Sequence, residues 1–114
     1  MEEGLIQQKS FEFALSMIRL YRKLQARQEF VVSPNLLQSG TSIGVKVEQS
    51  MAEPDSQALI QKLVSATGTA REARYWLRLL QESRLTDIDV TPELYAVNDI
   101  IEILTRLVKD LKIN

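Results

Sequence analysis

The segment 36–51, LLQSGTSIGVKVEQSM, decides how the chain is read. Leu36, Leu37, Ile43, Val47 and Met51 recur at helical spacing, yet Gly40 and Gly44 fall among them. A glycine in a helix interior costs roughly 1 kcal/mol against alanine. Two of them one turn apart, on one face, mark a place where a second helix backbone comes close. The polar flanks exclude a membrane reading of this spacing and leave close packing inside a bundle. Ser39, Thr41 and Ser42 can return their hydroxyls to carbonyls of their own helix.

Working outward, three more helices appear. The first runs from about Leu5 to Gln28, with Phe11, Ala14, Leu15, Ile18, Tyr21 and Leu24 expected on its core face. Ser33-Pro34 supplies an N-cap and a first-turn proline for the second. After a break at Pro54, Asp55 or Ser56 caps a third helix reaching about Arg84. Leu59, Leu63, Ala66, Ala70, Ala73, Leu77 and Leu80 line its inner face. The alanines Ala66, Ala70 and Ala73 are the expected partner of Gly40 and Gly44 in a close crossing. Thr91-Pro92-Glu93 then starts a fourth helix that ends near Lys112. It carries two apolar seams. Leu94, Val97, Ile101, Leu104, Val108 and Leu111 form one; Ala96, Ile100, Ile103 and Leu107 form the other. One stripe usually serves a core, so the second seam implies deep burial or a partner. Ile100, Ile103 and Leu107 are expected as an assembly surface. The architecture this describes is all-α, a single antiparallel up-down-up-down four-helix bundle.

Composition narrows the chemistry. The 114 residues hold no His and no Cys, and the formal net charge is −1. Thiolate and imidazole nucleophiles, bases and metal ligands are therefore missing. No apolar run approaches the roughly 20 residues of a membrane span, and the acidic start MEEGL does not resemble a signal peptide. The chain reads as a complete cytoplasmic protein.

Two ordered motifs carry a family resemblance. SGTSIGVKVEQSM, followed by a long helix containing REARYWLRLL, resembles the bacterial four-helix-bundle family of proteins encoded in 23S rRNA intervening sequences. The matching positions are Ser39, Thr41, Ser42, Ile43, Gly44, Val45, Lys46, Val47 and Glu48, then Glu72, Tyr75, Trp76 and Leu77. Lys46 stands where the family commonly has Asn, and Ser50 where it commonly has Ala. The resemblance implies a small bundle assembled into ring-shaped pentamers. It also implies a distant relationship to the accessory protein of diversity-generating retroelements, which binds reverse transcriptase and nucleic acid.

The remaining constellations are sparse. Glu48 and Glu72 lie near apolar faces, but a di-iron bundle site needs Glu-x-x-His pairs, so an ion pair or hydrogen bond is expected and no metal or cofactor. Tyr75 and Trp76 read as packing anchors rather than a stacking platform. Arg19, Lys23 and Arg27 form a row on the first helix, and Arg71, Arg74 and Arg78 a row on the third. If the rows adjoin, they make a basic strip for RNA or DNA; otherwise they are a solvated face with weak ion pairs. The leading expectation is a non-catalytic, self-associating adaptor for other proteins. The alternative is a nucleic-acid-binding accessory acting with rRNA or a reverse transcriptase.

Overall fold

Helix boundaries follow the chain's own punctuation. A computed structural model describes residues 2–113, which form α1 (Glu2–Ala26), α2 (Ser33–Met51), α3 (Ser56–Ser83) and α4 (Thr91–Ile113). Asp55 caps α3, its carboxylate accepting the Ala58 amide at 3.1 Å. Arg84 closes the same helix in the left-handed conformation, at φ 54°. The other two caps differ from the sequence expectation. Ser33 is already helical, and no side chain of the capping residue bonds at the start of α2. That work is done by Glu29, four residues upstream. At α4, Thr91 is likewise inside the helix, and Asp89 accepts both its amide at 3.0 Å and its hydroxyl at 2.6 Å.

Short connections fold the four helices into an up-down-up-down bundle of 47 × 21 × 21 Å. Each helix packs on its neighbour in sequence, α4 closes on α1, and the diagonal pairs α1–α3 and α2–α4 stay apart. The α1–α4 seam is the slimmest of the four. The core holds Ile6, Phe13, Met17, Leu20 and Leu24 of α1, with Leu36, Ile43 and Val47 of α2. It continues through Leu63, Leu77 and Leu80 of α3 to Val97, Ile101 and Leu104 of α4. No helix among the described residues is long and apolar enough to cross a membrane.

Three sequence expectations are corrected here. The inner face of α1 is the row Ile6, Ser10, Phe13, Met17, Leu20 and Leu24, so Phe11, Leu15 and Ile18 point outward. Two apolar rows with the same spacing compete on this helix, and polar Ser10 disguises the one that is buried. The glycine pair faces α1 rather than the alanines of α3. A β-carbon on Gly40 would overlap Met17, and one on Gly44 would lie 3.5 Å from the Ser10 carbonyl oxygen. This close approach sets the rotation of α1 and thereby chooses its inner row. Finally, Ile100, Ile103 and Leu107 lie inside the core and cannot be an outer assembly seam. With Ala96 exposed and both seams otherwise covered, the double stripe on α4 reflects deep burial.

Candidate assembly surface

The outward row of α1 defines the first notable surface. Phe11 is 64% exposed and Ile18 46%, with Leu15 and, from α2, Val45 beside them. Phe11, Ala14, Thr41, Gly44 and Val45 line a shallow groove between the two helices. Gly44 forms part of its floor because the helix has no side chain there. Gln7 and Glu48 bridge one end of the groove through a long 3.4 Å hydrogen bond.

A second groove runs between α3 and α4. Val64, Thr67, Gly68, Arg71, Thr105 and Val108 line it. Gly68 has nothing within 4 Å of where its β-carbon would be. Within one copy, then, this mid-helix glycine carries its propensity cost of roughly 1 kcal/mol without any close contact in return. Because the helices pack in cyclic order, the α1–α2 and α3–α4 grooves lie on opposite sides of the bundle.

The remaining residues singled out in the sequence are dispersed. Ala66, Ala70 and Ala73 are wholly buried in α3. Arg19 and Lys23 are exposed on α1 and Arg27 just past its end, while Arg71, Arg74 and Arg78 lie on the diagonally opposite α3. The two basic rows therefore do not join into a strip within one copy. Arg27 pairs with Asp87 at 2.9 Å and Arg78 with Glu82 at 3.3 Å, and Arg74 donates to Asn98 at 3.1 Å. Glu48 and Glu72 are both exposed, on different helices. Trp76 packs against the core and Tyr75 meets it edge-on at 5.3 Å. The hydroxyls of Ser39, Thr41 and Ser42 donate to carbonyls three or four residues back.

Two polar features were not legible in the sequence. Glu29 is buried without a cationic partner among the described residues, and its carboxylate accepts the amides of Val31, Val32 and Ser33 at 2.7–2.9 Å. A carboxylate at a helix N-terminus satisfies orphan donors and complements the helix dipole. Lys46 reaches across to α3, its ammonium donating to the Thr69 hydroxyl at 2.6 Å.

Comparisons with known proteins agree with this architecture. The family model described as 23S rRNA-intervening sequence protein matches residues 2–108. A crystal structure of a protein of unknown function from the S23 ribosomal protein family, from Bacteroides thetaiotaomicron VPI-5482, is similar at 32% identity and a TM-score of 0.90. The alignment covers 96% of this chain and 99% of that one. No curated protein matches.

Proposed function

The chain belongs to the family of 23S rRNA-intervening sequence proteins, and on that premise we propose that it is a non-catalytic scaffold that assembles with copies of itself. One observation carries the proposal: two different apolar grooves lie on opposite faces of a single bundle. Apolar rows such as Phe11, Leu15 and Ile18 gain free energy when covered. If the α1–α2 face of one copy covers the α3–α4 groove of the next, the contact is heterologous, and repetition closes a ring or extends a filament. The family resemblance favours a closed ring, with five copies. Gly68 supports the same contact, since its bare position leaves room for a neighbour's side chain.

The absence of catalysis is part of the proposal. It is supported by a sequence without His or Cys and by serine and threonine hydroxyls of α2 committed to local carbonyls. The nucleic-acid alternative loses its main geometric support, because its two basic rows sit on diagonal helices.

Blocking the faces separately tests the arrangement. Phe11→Glu blocks one face and Thr105→Glu the other. Each variant alone should be a monomer of 13.0 kDa, and an equimolar mixture should give a one-to-one heterodimer through the single intact contact. Homodimers of either variant would instead indicate like-with-like faces and overturn the heterologous arrangement.

A further inference from the structure

One end of the bundle carries a different surface. The connection 27–32 between α1 and α2 exposes Phe30 at 60% and Val31 at 76%, and the connection 84–90 exposes Leu85 at 57%. The Arg27–Asp87 ion pair clips these two connections side by side. Phe30 and Val31 are not loose. Glu29 holds the backbone beneath them with three charge-assisted hydrogen bonds, Ser33 returns its hydroxyl to the Glu29 carbonyl at 2.8 Å, and Gln25 binds Ser33 at 2.9 Å. Ordering of this kind presents apolar side chains to solvent at little further entropy cost on binding.

The exposed charges nearest α1 are cations, while the 84–90 connection carries Asp87, paired with Arg27, and Asp89, hydrogen-bonded to Thr91 and Gln81. Arg22 and Lys23 in the closing turns of α1 and Arg84 at the end of α3 are exposed, with no ion-pair partner among the described residues. Glu29, the one acid in the 27–32 connection, has its carboxylate turned inward. An apolar anchor with unpaired cations at the same end of the bundle suits an apolar segment flanked by carboxylates. Phe30 is the one aromatic among the three anchors; Val31 and Leu85 are aliphatic and offer nothing for a base to stack on, so a protein segment fits better than single-stranded RNA.

We propose that this end of the bundle, formed by Phe30, Val31 and Leu85 with Arg22, Lys23 and Arg84, docks an acidic, apolar-anchored peptide segment of a partner protein. The proposal deepens the scaffold reading by giving the partner's chemistry and rests on it for the partner's existence. The site lies at the bundle end, apart from both side grooves, so the ring remains free to form while each copy displays one.

Selection from a random peptide library on the intact wild-type protein tests the proposal, with a Phe30→Asp, Val31→Asp double variant as counter-target. Both side chains are exposed, so the variant should keep the wild-type helicity and particle mass. Peptides enriched on the wild type should carry net negative charge around an apolar anchor. They should bind the variant about tenfold more weakly or worse. Enriched peptides that are neutral or basic, or that bind the two proteins alike, would overturn it. So would tight binding of oligouridine that the double variant abolishes, which would assign the end to RNA instead. Particle mass is read separately: a wild type that is monomeric yet selects acidic peptides would sink the ring and leave this site standing.

Discussion

Gly40 of α2 lies so close to Met17 of α1 that a β-carbon there would overlap the Met17 Cγ and press on its sulfur. The atoms struck are near the root of a side chain that is 1% exposed, so Met17 has little freedom to swing away. Overpacking of this kind costs about 1–3 kcal/mol, against a helix-propensity gain of roughly 1 kcal/mol for Gly→Ala. Gly40→Ala should therefore lower stability by about 1 kcal/mol in denaturant unfolding. Gly44→Ala, with its nearest neighbour at an ordinary 3.5 Å, should be neutral or stabilising. Equal effects at the two positions would refute a tight crossing centred on Met17.

Gly68 should behave in the opposite sense. Its surroundings are open, so Gly68→Ala should raise the stability of the isolated bundle by up to about 1 kcal/mol. Gly68→Leu should fold as well yet weaken self-association, because its side chain would fill the α3–α4 groove. Sedimentation velocity and thermal unfolding of both variants separate the two effects. A Leu variant that assembles like the wild type would remove this groove from the contact.

Glu29 should be worth more than its position in a connection suggests. Glu29→Ala strands the amides of Val32 and Ser33, both buried residues, and a buried donor without a partner costs about 1–3 kcal/mol. Urea unfolding should show a loss of about 2 kcal/mol or more for Glu29→Ala, and a smaller loss for Glu29→Gln, which keeps one acceptor oxygen. A loss no greater than that of an ordinary surface substitution would show that the amides find water instead.

The clip between the two connections titrates. The hydrogen bond and charge of Arg27 hold the Asp87 carboxyl below its ordinary value of 3.8. A depressed carboxyl stabilises the fold above that value, and the contribution fades as pH falls through the lower folded-state value. Asp87→Asn should thus weaken the bundle slightly at neutral pH and not at pH values well below 3.8. Asp89, lowered mainly by the Thr91 hydroxyl, adds a second carboxyl with the same sense, so acid sensitivity should persist in the single variant. A stability difference that does not shrink with acid would count against the clip.

α2, α3 and α4 were legible because proline, aspartate and threonine punctuate their starts, and α3 also because it has one unambiguous apolar row. The rotation of α1 was not. Its rows through Phe11 and through Phe13 have the same period, and the choice between them depends on Gly40 meeting Met17, a contact between residues 23 positions apart in the sequence. With that row facing outward, the proposed assembly surface is Phe11, Leu15 and Ile18, in place of the buried Ile100, Ile103 and Leu107. Helix periodicity reports which residues want cover, and a second strong stripe on α4 was covered by the bundle itself. Glu29 was missed because its cap spans four residues through an irregular connection, with no local motif to announce it.

The most direct test of self-assembly through the outward row of α1 is the solution mass of the full chain beside Phe11→Glu, by sedimentation equilibrium. The wild type should weigh a whole multiple of 13.0 kDa, with a pentamer the expected size, and the variant 13.0 kDa itself with unchanged helicity. A wild type that stays at 13.0 kDa across concentrations, or a variant that keeps the wild-type mass, would contradict it.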